Sequence, residues 1–217
     1  MLQRNGELQS IGMVRGHYTG DQLTPTLREC REYDMELLML NKAEYAAAKN
    51  SSQLADQYPD AYIVPEGGDN EAGIRGAAEI ARLIPADTTD VCVSVGTGTT
   101  LNGLYSALPM HTRLQGFYVA RDIEDARSSL RWLGIVSKLP PMIHPVDDPR
   151  FGKWTEEAVR FMCSFYETTG IPLDVVYTSK MMMKVRSLLE EHAFGAYNKI
   201  VCIHTGGLQG NPTGLFP

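Results

Sequence analysis

Four turns carry the residues best suited to chemistry. The first, SVGTGTTLNG at 94–103, follows an apolar run, Asp90–Val95, and opens a segment of helical period. A glycine-rich turn between strand and helix presents backbone N–H groups at a helix N-terminus, which suits a phosphate dianion. Thr97, Thr99 and Thr100 would add hydroxyl donors around Gly98. No Gly-Lys-Ser/Thr follows, so this is not a P-loop. Leu101 stands where a third glycine would complete a dinucleotide fingerprint. A tight strand-to-helix turn capped by threonine is the alternative use.

The second turn is PEGGDNEAGIRG at 65–76. Gly67 and Gly68 permit positive φ, and Asp69 or Asn70 can cap the following helix. The third is IHTGGLQGN at 203–211, where Thr205 offers a hydroxyl and Gly206 and Gly207 let a ring or backbone come close. His204 reads as a structural histidine. The fourth is DVVYTSK at 174–180, with Tyr177 at the end of an apolar run and Thr178 after it. A tyrosine there can reach a ligand crevice or serve as a core residue with a bonded hydroxyl. Together these turns describe a site for a small phosphorylated ligand with an aromatic face.

Alternating elements would position them. β-rich runs lie at Ser10–Val14, Glu36–Leu40, Ala61–Val64, Asp90–Val95, Leu114–Val119, Leu173–Tyr177 and Lys199–His204. Helical faces are formed by Ile74, Ala77, Ala81 and Ile84, by Trp154, Ala158, Phe161 and Phe165, and by Met181, Val185, Leu188 and His192. Strand-helix alternation predicts an α/β fold with parallel sheets flanked by helices. Continuous apolar strands such as VCVSV suit coverage on both faces. Ligands of such sheets bind at the carboxyl ends of strands, so the turns after Val95 and His204 are expected at one edge. A polar stretch near Asn50–Pro59 divides a partial small domain, 1–60, from a larger domain, 61–217. Met181–Met183 reads as core filler.

Composition narrows the class. With 217 residues, 43% hydrophobic and 21% charged, the chain can bury a core without staples. The net charge of −6 is scattered over both signs, so no nucleic-acid partner is expected. The cysteines, Cys30, Cys92, Cys163 and Cys202, have no zinc spacing and read as small hydrophobes in a reducing compartment. The opening MLQRNGELQS has no apolar signal region, and no apolar run is long enough for a bilayer. A cytoplasmic protein without a metal is expected.

The segments SVGTGTTLNGL, IPLDVVYTSKMM and IVCIHTGGLQGN, in that order, resemble those of the aminocyclopropane-carboxylate deaminase / D-cysteine desulfhydrase family, and IGMVRG and IVPEGGDNEAGIRGAAEI fit as well. The resemblance covers nearly the whole chain. It implies the tryptophan-synthase-β-like fold (fold type II), pyridoxal 5'-phosphate (PLP) between a small and a large domain, and a small amino-acid substrate. It assigns the PLP phosphate to Thr97, Gly98, Thr99 and Thr100, and the face of cofactor and substrate to Tyr177. Thr178, Thr205 and Gly206 would lie near the pyridine ring. Threonine rather than a carboxylate at 178 is similar to the desulfhydrase branch. Ammonia and an α-keto acid would be released, and a homodimer is expected.

Two departures accompany the resemblance. Relatives carry a GNKxxKL-like motif with the Schiff-base lysine, then Ser-Asn-His, and this sequence has neither. A truncated or non-catalytic remnant that binds PLP or phosphate weakly is therefore the alternative. A phosphate-binding module unrelated to PLP is disfavoured by the motif order. Of the lysines 42, 49, 138, 153, 180, 184 and 199, Lys180 lies nearest a site segment, and it is not expected to substitute. Where many relatives place a second active-site tyrosine, the nearest aromatic is Phe151, which has no hydroxyl.

Overall fold

The computed structural model describes residues 8–50, 53–119, 139–148, 150, 152–196 and 198–216. The chain divides into two compact units, Met1–Pro65 and Glu66–Pro217.

In the first unit β1 (Ile11–Arg15) and β2 (Glu36–Leu40) pair in parallel, with Met13 opposite Leu38. Parallel strands need a crossover, supplied by α1 (Pro25–Glu32). Thr24 starts that helix by accepting from Leu27 N, with Pro25 in the first turn, where a missing N–H costs nothing. Helices α2 (Lys42–Asn50) and α3 (Gln53–Gln57) follow. The run 61–64 joins neither sheet, although its residues favour strands; Tyr62 and Val64 are largely exposed. β-propensity is realised only against a neighbouring strand.

The second unit is a parallel sheet in the order β5-β4-β3-β6. Its strands are β3 (Asp90–Val95), β4 (Arg113–Tyr118), β5 (Met142–Pro145) and β6 (Ile200–Ile203). Every residue of β3 is buried, as expected of a central strand covered on both faces. Its alternation sorts the core. Val91, Val93 and Val95 pack with Leu101, Leu104 and Tyr105 of α5 (Thr99–Ala107). Cys92 faces the other way, with Phe117 and with Met181 and Val185 of α7 (Thr178–Glu190). Helix α4 (Glu71–Ala78) is capped by Asn70, whose Oδ1 accepts from Gly73 N at 2.8 Å. It lies so close to α5 that a Cβ on Gly103 would sit 2.7 Å from Ile74 O. Helix α6 (Glu156–Thr169) begins on a Thr155 cap and ends at Gly170 with φ 70°.

Further readings of the sequence are corrected. Leu173–Tyr177 is a turn, because its backbone N–H groups are drawn onto Asp174. Strand β5 was hidden by its shortness and by Pro140, Pro141 and Pro145. His192 lies past the end of α7 at φ 56°, off the helical face. Phe151 and Lys138 lie outside the described residues.

Candidate functional site

Strands β3 and β6 run parallel with Val93 opposite Ile203, so the loops carrying Thr97 and Thr205 leave the sheet at one edge. At that edge Gly98, φ 89°, caps α5 without any side-chain hydrogen bond. The first intrahelical bond is Asn102 N to Gly98 O, 2.9 Å. The N–H groups before Asn102 lie ahead of the helical ladder. Thr97 and Thr99 hydroxyls are 3.0 Å apart, and the first turn of α5 has no acidic residue. Backbone N–H groups, hydroxyls and a helix dipole without a competing carboxylate fit a phosphate dianion.

Glycines let neighbouring loops close on this turn. A Cβ at Gly67, φ 66°, would lie 2.5 Å from Thr97 Oγ1, so only glycine lets the second turn press against the first. A Cβ at Gly96 would lie 3.1 Å from the Tyr177 ring and 3.3 Å from its hydroxyl oxygen. Tyr177 therefore packs directly beside the phosphate-type loop. Burial, then the charges of Asp174 and Glu66, push its phenol above the ordinary tyrosine range.

Thr178 makes its hydrogen bonds within the protein. It is fully buried; its hydroxyl donates to Asp174 Oδ2 at 2.6 Å and accepts from Asp174 N at 2.8 Å. Its only proton is committed, so it has none to offer a ring nitrogen. Thr205, exposed just past β6, remains the hydroxyl on that side. Beside it Gly206, φ 90°, donates its N–H to His204 Nδ1 at 3.0 Å. That bond leaves His204 Nε2 as the donor to Pro172 O, 2.8 Å, a structural use of the imidazole.

Lys180 is also accounted for. It is buried, and Nζ donates to Asp148 O at 2.8 Å and Arg150 O at 2.7 Å. Burial lowers its pKa, and the nearby Asp148 charge opposes that shift. An ammonium tied to two carbonyls braces Asp148 and Arg150 rather than serving as a free nucleophile. Among the described residues no cluster of three or more metal-ligating side chains occurs, and no helix is long and apolar enough to cross a membrane.

No family model matches the chain. A Pyrococcus horikoshii protein provisionally named 1-aminocyclopropane-1-carboxylate deaminase is 28% identical, over 91% of this chain and 63% of its own length. A D-cysteine desulfhydrase of Yersinia enterocolitica is 30% identical, over 81% of this chain and 60% of its own. The chain is a relative of the aminocyclopropane-carboxylate deaminases and D-cysteine desulfhydrases. It spans about three-fifths of the length of these two. The crystal structure of an ACC deaminase homologue superposes with a TM-score of 0.73 at 24% identity, covering 96% of this chain and 69% of that one. A fungal L-serine ammonia-lyase from Rhizomucor miehei superposes at 0.65 with 14% identity, covering 94% and 71%. The fold is that of the fold-type II PLP enzymes.

Asp174 was missed as a site residue. Its carboxylate collects the backbone of the Tyr177–Thr178 turn, and the signal was present in Pro172-Leu-Asp, a turn opening read instead as a strand.

Proposed function

We propose that this protein is a PLP-dependent deaminase or desulfhydrase acting on a small amino acid of the D-cysteine or 1-aminocyclopropane-1-carboxylate type, releasing ammonia and an α-keto acid. The observation that carries the reading is the glycine-capped start of α5, which has no side-chain cap bond, with Tyr177 packed on Gly96 beside it. In this reading Thr97, Gly98, Thr99 and Thr100 hold the phosphate of PLP. Bound PLP supplies an electron sink for charge that develops at the substrate carbon.

The chain's own groups divide the remaining work. The α5 N-terminus neutralises part of the phosphate charge with its N–H groups. Tyr177 faces the substrate and can donate its O–H to a leaving group. Thr205 and Gly206 border the ring, and Thr178 supports Tyr177 from below instead of touching the ring. Residues 61–217 form the PLP-binding domain and residues 1–60 a small domain. The protein works in the cytoplasm as a homodimer, with exposed apolar residues such as Leu83 and Leu139 available for an interface.

A second reading, weak PLP or phosphate binding without turnover, is favoured by the commitment of Lys180 to two carbonyls. One experiment separates them. PLP is titrated by near-ultraviolet circular dichroism, the complex is reduced with borohydride, the peptides are mass-mapped, and ammonia release is assayed with both substrates. Saturable binding weakened by Thr97→Ala, with turnover, supports the enzyme. Binding without turnover supports the second reading. A protein that binds neither PLP nor inorganic phosphate overturns both.

A further inference from the structure

We propose that Asp174 is a positioning residue that sets Tyr177 for its work, fixing the turn that carries it and holding a carboxylate beside it. Its use in catalysis rests on the PLP reading above; the geometry does not. The side chain is buried, and its carboxylate is saturated from one short stretch. Oδ1 accepts from Val176 N at 2.9 Å and Tyr177 N at 2.7 Å. Oδ2 accepts from Thr178 N at 2.8 Å and from the Thr178 hydroxyl at 2.6 Å. Gly207, φ 91°, crosses the same group: a Cβ there would lie 3.2 Å from Asp174 Cγ.

Independent bonds tie the same two loops on either side of this crossing. Asn211 Oδ1 accepts from Val175 N at 3.0 Å, and its Nδ2 donates to Leu173 O at 2.9 Å. His204 Nε2 donates to Pro172 O. The turn that carries Tyr177 and the loop that carries Thr205 are thus stitched together, with Asp174 at the crossing. None of the hydrogen-bond partners of the carboxylate is a cation. Capping alone would be met by Ser, Thr or Asn without desolvating a charge. What the charge adds is a negative potential beside the Tyr177 phenol, which opposes its ionisation; the upward displacement of that phenol, led by burial, has Asp174 as its next cause.

The test uses the PLP-free protein, with tyrosines labelled at Cζ with carbon-13 and Tyr177 assigned by Tyr177→Phe. Asp174→Asn keeps the shape and removes the charge. Its Tyr177 resonance is expected to titrate at lower pH than in the wild type, and the Thr178 amide to exchange at least about ten-fold faster. A Tyr177 titration that coincides with the wild type would overturn the proposal. Where Asp174→Asn does not fold, Thr178→Val keeps the charge and deletes the hydroxyl. The Asp174 amide should then exchange faster while the Tyr177 titration stays high, and Thr178→Ser should restore the protection. A Tyr177 titration that falls with the charge still present, or an Asp174 amide that stays protected, would overturn it equally. Because no readout needs PLP, failure to bind PLP would sink the functional reading and leave this one standing.

Discussion

The two ends of the four-stranded sheet spend their polar groups differently. At the starting edge of β3 the buried Asp90 carboxylate accepts from Thr89, Arg113, Gln115 and Asn198 at 2.7–2.9 Å. Gln115 passes the network to His144 at 2.7 Å, so loops and strands next to β3 are pinned together. At the finishing edge α5 opens with no side-chain cap, and Thr205 stands exposed. One edge satisfies a buried carboxylate internally, and the other opens a helix on a glycine with no side-chain cap bond. A buried charge that is fully bonded serves stability, whereas donors left at a helix start serve a ligand.

Substitutions at the two edges should therefore separate stability from binding. The largest effect is expected from Asp90→Ala, which strips the partners of Arg113, Gln115 and Asn198. Urea unfolding should show a loss of about 3–5 kcal/mol, with PLP affinity unchanged in whatever protein remains folded. Next comes Gly67→Ala, which forces a Cβ onto Thr97 at a positive φ. A loss of about 1–3 kcal/mol is expected, together with weaker PLP binding, because the clash falls on the phosphate-type loop. Thr97→Ala should weaken PLP or phosphate binding about ten-fold, a difference of ~1.4 kcal/mol, while the urea midpoint stays put. Equal losses of stability from Thr97→Ala and Asp90→Ala would break the contrast.

The smallest effect concerns pH. Burial, then the Lys184 charge, lowers the His144 pKa, so the folded state binds fewer protons there than the unfolded chain. Stability should fall as the pH drops through the unfolded histidine value of about 6.5. The full penalty is reached below the folded pKa. His144→Gln should flatten that slope. Asp90 behaves in the same direction at lower pH: burial raises its pKa, but the bonds from Arg113, Gln115 and Thr89 outweigh this and lower it overall. Its stabilisation is present above the unfolded aspartate range and lost as the pH falls through the folded value. Urea midpoints measured across pH would show both steps.

What the sequence determined by itself was periodic or local. The mostly apolar run Asp90–Val95 reads as a covered strand, and the Gly-Thr turn after it as the opening of a helix, as both are. Asn70 was readable as a cap, and the strand-then-glycine pattern was enough to bring the loops after β3 and β6 to one edge. The tertiary structure decided where distant groups compete for the same atoms. Thr178 reads as a hydroxyl available to a cofactor, yet it donates its hydrogen bond to Asp174. Leu173–Tyr177 has strand composition, yet a single carboxylate bonding three successive N–H groups outbids a ladder. Lys180 is not expected from the sequence to act as the Schiff-base lysine, but only folding shows that its ammonium is bonded to two carbonyls some thirty residues away. Hydrophobic period is written along the chain, but the partner of a polar group is set by what folding brings within 3 Å of it.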